Sequence, residues 1–273
     1  MIEEIFACLD GSLLAEKILP LARSVAIAAE ARLTVLRVVV DADELAGAQS
    51  CVRERAQLFG AQVRFLIADD PASAIVAALE KNPRSIAAMT THGRSAWSEA
   101  VLGSVALRVL RGSRRPAILY CPLVKDQVAP QRVTTITVAL DGSDFSARII
   151  PFAAELAKSL KARLQLLQAL PLLPLIPNIP GQPEKSDIVE SAYLHWQADE
   201  IKKTYGLDSD WEVLHGTAAA AICRQVRGMP DTVLAITAHA RGGLERAILG
   251  SVAGACVRRA GVPVLIYWSA QRD

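Results

Sequence analysis

Two kinds of residue able to hold a sugar or a phosphate recur in this chain at matched places. Asp10 stands in Leu9-Asp10-Gly11-Ser12 and Asp141 in Leu140-Asp141-Gly142-Ser143, each directly after a short apolar run. Leu102-Gly103-Ser104-Val105-Ala106 returns as Leu249-Gly250-Ser251-Val252-Ala253. A carboxylate at the end of a strand can accept hydrogen bonds from a ribose hydroxyl or a base edge. The same Asp can instead open the turn and cap the next helix. A Gly-Ser pair at a helix start leaves backbone N–H groups free where the dipole favours an anion, and the hydroxyl adds a donor. Alone, Gly-Ser is an ordinary turn with a Ser cap. Here it recurs nine residues after Thr90-Thr91-His92-Gly93 and nine after Thr237-Ala238-His239-Ala240.

The elements that must position these residues repeat as well. Asp10 and Asp141 are 131 apart, as are Ala31-Arg32-Leu33 and Ala162-Arg163-Leu164, whereas Gly103 and Gly250 are 147 apart. The chain is an internal duplication, and the second copy carries extra length between about Leu170 and Trp211. Ile5 to Leu9 and Ile136 to Leu140 read as first strands, followed by helices over Leu13 to Ala31 and Phe145 to Ala162. Leu33 to Val39 and Leu164 to Leu170 are second strands; Val63 to Ile67 and Trp211 to Leu214 are third. Helices start near Ala72 and Ala218, and fourth strands lie at Ile86 to Met89 and Val233 to Ile236. After helices near Ser104 and Ser251, Ala117 to Tyr120 and Val264 to Tyr267 close the halves. Strands alternating with helices imply parallel βαβ units, and near-continuous apolar strands fit a sheet covered on both faces. The expected fold is α/β, with two tandem doubly wound five-stranded parallel sheets. The domains are expected at 1–125 and 133–273, the second with an insertion at about 170–210, and Val124 to Arg132 reads as the linker.

Composition narrows the function. Thirty Lys and Arg against 28 Asp and Glu leave a net charge of +2, so bulk charge makes no case for nucleic acid or membrane. The hydrophobic fraction is 52% with 5% aromatic residues, a core of Ala, Val, Leu and Ile. Cys8, Cys51, Cys121, Cys223 and Cys256 form no C-x-x-C and read as small core or surface residues in a reducing compartment. The chain opens in a strand pattern with no signal-peptide pattern, and Leu170 to Pro180 is too short and proline-rich to span a bilayer. A cytoplasmic protein is the expectation. A Walker A lysine, catalytically spaced carboxylates and a metal cluster are all missing from the sequence, so any enzyme activity is at most weak ATPase. His92 and His239 either contact phosphate or pack their loops; His195 and His215 lack counterparts and read as structural. Tyr193 and Trp196, in an insert-derived helix over Ile188 to Tyr205, read as core or interface residues.

The pattern resembles the universal stress protein family, whose ATP-binding members carry Gly-x-x-Gly, nine residues, then Gly-Ser or Gly-Thr. The resemblance covers nearly all of both halves. It includes the strand-one Asp, the Asp70-Pro71-Ala72 turn, the loop His92-Gly93-Arg94 and the closing strands Pro116 to Tyr120 and Pro263 to Tyr267. It implies the Rossmann-like strand order 3-2-1-4-5, dimers through the last strand, and adenine nucleotide in some members. The cofactor implied is ATP, with AMP or ADP as alternatives and Mg2+ accompanying the phosphates, in a stress-response role exercised through nucleotide-linked conformation or association. The alternative is an interaction module that binds no nucleotide. A homodimer of the tandem chain is the further partner implied.

By position, the resemblance gives Asp10 to ribose or adenine and Val38 to adenine through its backbone. Thr90, His92, Gly93, Gly103 and Ser104 would surround the phosphates; Asp141, Ala169, Gly250 and Ser251 take the matching places in the second half. Thr90 and Thr237 depart from the first motif glycine, and Ala240 departs where Gly93 conforms. A phosphate packs there against bare backbone, and φ is free to be positive. The first site is therefore expected to bind the more tightly, with Gly103→Val more damaging than Gly250→Val. The duplication predicts that the halves pack as a pseudo-dimer through their fifth strands. Otherwise two apolar edges would be exposed. Leu170 to Pro183 is expected to be a surface flap near the second site, since proline cannot join a central ladder.

Overall fold

The fold is described from a computed structural model covering residues 2–91, 103–171, 186–238 and 249–268. The first half runs β1 (Glu4–Leu9), α1 (Leu19–Ala28), β2 (Arg32–Val39), α2 (Ala42–Leu58), β3 (Gln62–Ile67), α3 (Pro71–Glu80), β4 (Ser85–Thr90), α4 (Ser104–Ser113) and β5 (Ala117–Tyr120). The second repeats it as β6 (Thr135–Leu140), the short α5 (Asp144–Ala147), α6 (Ile150–Leu160), β7 (Arg163–Leu170), α7 (Ser186–Tyr205), β8 (Ser209–His215), α8 (Ala218–Arg227), β9 (Thr232–Ala238), α9 (Ser251–Arg259) and β10 (Val264–Trp268).

The two expected sheets are halves of one. Its strand order is β3-β2-β1-β4-β5-β10-β9-β6-β7-β8, so each half has the order 3-2-1-4-5 and the second is its reverse. Neighbours within each half are parallel, and β5 meets β10 antiparallel with Ile118 opposite Leu265. Both side chains are fully buried. The fifth strands therefore cover each other's edges, as the pseudo-dimer expectation required.

Every position of β1, β4, β5, β6 and β9 is buried, the signature of a sheet covered on both faces. One core face packs α1, α2, α6 and α7 against the sheet through Leu19, Val52, Ile150 and Leu194. The opposite face packs α3, α4, α8 and α9 through Ile75, Val109, Ile222 and Val257. Each of these cores runs without interruption from one half into the other.

Three expectations need correction. The helices expected over Leu13 to Ala31 and Phe145 to Ala162 are each divided into a short turn (Ala15–Ile18, or α5) and a longer helix. Pro20 and Pro151 occupy the first turn of α1 and α6, where a missing N–H leaves no hydrogen bond unmade. The helix expected from the insertion, α7, is instead the counterpart of α2, with 20 residues against 17. The remaining extra length lies in the connection 171–185, where Val40 and Asp41 alone join β2 to α2. The α2 helix itself escaped notice because Val52 and Ala56 are its only buried residues, too few for an apolar stripe. Most of Leu170 to Pro183 lies outside the described residues; Leu170 ends β7, followed by exposed Pro171.

The expected linker is pinned to both halves. Gln127 accepts from the Leu123 N–H at 2.7 Å and donates to the Gly261 carbonyl at 2.6 Å. The Ala129 N–H donates to the Lys17 carbonyl at 3.0 Å.

Candidate functional site

In a doubly wound sheet the crevice lies beyond the carboxyl ends of the strands, where the order reverses. Here that point falls between β1 and β4, and between β6 and β9.

The Asp-Gly-Ser turn takes the same form in both halves. Asp10 Oδ1 accepts from the Ser12 N–H at 2.9 Å and its hydroxyl at 2.6 Å. Asp141 Oδ1 accepts from the Ser143 N–H at 3.0 Å and its hydroxyl at 2.5 Å. The serines, in turn, accept from the backbone N–H groups of Ala15 and Ser146, both at 3.1 Å. The turn-opening alternative for the aspartates is thus realised, with the cap itself made by serine. Gly11 and Gly142 have φ of +83° and +86°, backbone that an L side chain adopts only under strain.

Below these glycines lies a pair of residues that sequence reasoning missed. A Cβ on Gly11 would stand 3.4 Å from the Arg37 guanidinium, and one on Gly142 would stand 3.2 Å from Gln168 Nε2. Arg37 is buried, pairs with Glu44 at 2.7 Å and donates to the Leu9 carbonyl at 3.4 Å. The signal was present: Arg37 and Gln168 are polar residues in repeat register, 131 apart, in the second strands, as are Thr34 and Gln165.

The second half has a cavity at the crevice, about 370 Å3 in volume. Asp141, Ala169, Thr237, Gly250 and Ser251 all line it, over a floor that includes Ile222 and Ile236. Gly250 precedes α9, whose first N–H groups lack partners within the helix and whose dipole points its positive end into the cavity. Ser146, also unanticipated, ties the walls together: its hydroxyl donates to the Ser143 carbonyl at 2.9 Å and accepts from the Asp141 N–H at 3.2 Å. Its own carbonyl accepts from the Thr237 hydroxyl at 3.1 Å, joining the turn to the end of β9. Tyr193 reaches this group from α7. Burial raises its phenol pKa, hydrogen bonds with Ser146 and Gln197 oppose that, and Asp141 and Asp144 add to the rise. Tyr193 packs against the core as expected, whereas Trp196 is exposed.

The first half has different side chains at several of the matching places. In repeat register Cys8 stands for Ala139, Val38 for Ala169, Pro71 for Ala218 and Met89 for Ile236. Arg108 clasps Asp70, the residue before α3, through two bonds of 2.7 and 2.5 Å, and the Ser73 hydroxyl donates to the same carboxylate at 2.5 Å. Those bonds, Arg108 first, hold the Asp70 carboxyl down at about 2. The second half has Thr217, Ala220 and Ala255 at the three places. Gly103 and Ser104 do begin α4, and Thr90 ends β4. His92 and Gly93 lie outside the described residues, as do His239 and Ala240. The cavity lies in the half that the glycine argument ranked second; Gly93 and Ala240, on which that ranking turns, lie outside the described residues. Gly103 and Gly250 have φ of −51° and −52°, so neither is held by a need for positive φ.

Two doubly wound units fused edge to edge, each with an Asp-Gly-Ser turn after its first strand and a Gly-Ser start to its last helix, define a tandem α/β protein. Residues 132–267 match the model of the Universal stress protein family, so the second half carries a domain of that family. A universal stress protein from Archaeoglobus fulgidus DSM 4304 is similar in structure, with 22% identity, 96% of this chain and 97% of that one covered, and a TM-score of 0.74. A functionally unknown protein from Pseudomonas aeruginosa PAO1 has 20% identity, coverage of 97% and 92%, and a TM-score of 0.69. The cytoplasmic domain of a prokaryotic cation chloride cotransporter has 11% identity, coverage of 97% and 95%, and a TM-score of 0.58. At these identities the likeness is one of fold. No curated protein matches the chain. Among the described residues no helix is long and apolar enough to cross a membrane, and no group of three His, Cys, Asp or Glu could hold a metal.

Proposed function

We propose that the chain binds an adenine nucleotide in the cavity of its second half and acts in stress response through nucleotide-linked conformation or association. The observation that carries this reading is the convergence of Asp141, Ala169, Gly250 and Ser251 on one cavity of about 370 Å3. That volume falls in the range of small-molecule sites. The Asp141 carboxylate meets ribose or adenine, the Ala169 backbone meets the base, and the α9 N-terminus with the Ser251 hydroxyl holds phosphate. Mg2+ would arrive with the phosphates of ATP. Micromolar affinity requires about 8 kcal/mol, of which a helix N-terminus supplies about 0.3–2 kcal/mol. Several contacts must therefore add, and the turn, strand end and helix start supply them together.

For the first half we infer the alternative role, association without nucleotide. Val38 stands where the second half has Ala169, and the Asp70–Arg108 pair stands where it has Thr217 and Ala255. Asp10, Val38, Thr90, His92, Gly93, Gly103 and Ser104 then form a vestigial site. Calorimetric titration with ATP, AMP and ADP tests both assignments: one nucleotide per chain supports them, and two equal sites or none contradicts them.

A further inference from the structure

Two of the five thiols stand side by side. Cys223 on α8 and Cys256 on α9 are both buried, and their sulfurs lie 4.0 Å apart. In repeat register the first half has Val76 and Val109 there, so an apolar residue satisfies the packing and the thiol pair distinguishes the second half. The pair also lies just below the cavity. Ile222, directly before Cys223, lines it, as does Ala253, one turn before Cys256.

The surroundings make the two sulfurs unequal. The contact with the Cys256 sulfur favours a Cys223 thiolate and, with the cations Arg227 and Arg259, outweighs the desolvation opposing it. The same contact and burial push the Cys256 thiol up. Arg227 is held in place, donating from Nε at 3.0 Å and from Nη2 at 2.5 Å to the Arg259 carbonyl. Cys223, the less buried of the two and beside the cations Arg227 and Arg259, is the better placed to attack, and Cys256 to resolve.

We propose that Cys223 and Cys256 form a reversible disulfide, with a hydroperoxide as oxidant, and that closing this bond narrows the cavity of the second half. The bond stands on the thiol geometry; its effect on ligand rests on the nucleotide reading. The Cys223 thiolate attacks a peroxide oxygen; the O–O bond breaks, a sulfenic acid forms, and the alcohol (water from hydrogen peroxide) leaves after taking up a proton. The Cys256 sulfur then attacks the Cys223 sulfur; the S–O bond breaks, the S–S bond forms, and water leaves with the Cys256 proton. The peroxide gains the two electrons that the thiols lose. The sulfurs must close from 4.0 Å to about 2.05 Å. Ala218 on α8 and Ser251 on α9 both line the cavity, so closure carried by the helices draws those two walls together.

The test uses the full chain, treated with hydrogen peroxide and then mapped by mass spectrometry without reduction. The expected product is one peptide joining Cys223 to Cys256, lighter by two hydrogens and released by dithiothreitol. Hydrogen exchange at Ser251 to Gly254 should slow on oxidation, and ATP should bind about tenfold more weakly, a difference of about 1.4 kcal/mol. Cys256→Val, which places the first half's residue at that position, should form no bridge and bind ATP with the reduced protein's affinity in either state. Oxidation of exposed Cys51 with no Cys223–Cys256 peptide would overturn the bond. A bridge that leaves exchange at α9 unchanged would overturn the coupling. Should the reduced protein bind no ATP, the nucleotide reading fails, while bond and coupling are still decided by the peptide map and the exchange rates.

Discussion

Gly250 marks a place where a side chain would enter the cavity at little cost to the fold. A Cβ built there meets nothing within 4 Å, and its φ of −52° suits any residue. Gly250→Val should therefore leave the thermal midpoint unchanged while its methyls enter the space proposed for phosphate. A loss of about tenfold or more in ATP affinity is expected; unchanged affinity with an intact fold would count against the placement. Asp70 makes a separate prediction at this scale. Its folded-state pKa is depressed, so the stabilisation it supplies is complete above the ordinary carboxyl pKa and is lost as pH falls towards about 2. In Arg108→Ala the Asp70 carboxyl should titrate nearer the usual range, shifting the acid limb to higher pH. Carboxyl chemical shifts followed by NMR would read this, and an unmoved Asp70 midpoint would show that Arg108 is not its cause.

At the scale of elements, the turn before β10 joins the linker to the second half. Gly261 has φ of +71°, and a Cβ there would stand 2.7 Å from Leu123 Cδ1. Leu123 can swing aside, so backbone strain dominates, and Gly261→Ala should cost about 1–3 kcal/mol. Urea denaturation would measure it, and an unshifted midpoint would show the turn to be unstrained. Most strands were legible before any coordinates because their runs are continuous and recur at fixed offsets; β5 and β10 begin where expected. The α2 helix was not legible, since a helix lying on the sheet by Val52 and Ala56 leaves little periodic signal. The candidate site was legible in part. Asp141, Gly250 and Ser251 stand in repeated motifs, whereas Ser146 has Ala15 as its counterpart and so carries no repeat signal.

The whole molecule is one sheet with two cores that cross the midline. Ile118 and Leu265 stand opposite each other where the halves meet, and both are fully buried. Separating them would expose two apolar edges. The chain should accordingly unfold in a single transition, with circular dichroism and tryptophan fluorescence coincident; two resolved transitions would mean that the halves are independent. This continuity also gives the proposed asymmetry its meaning, because one half can bind while the other serves as a rigid partner. The most direct measurement is calorimetric titration of ATP into the reduced wild-type chain, Gly250→Val and Gly103→Val. One site in the wild type, lost in Gly250→Val and kept in Gly103→Val, is the predicted result. No binding to the wild type, or equal loss in both variants, would contradict it.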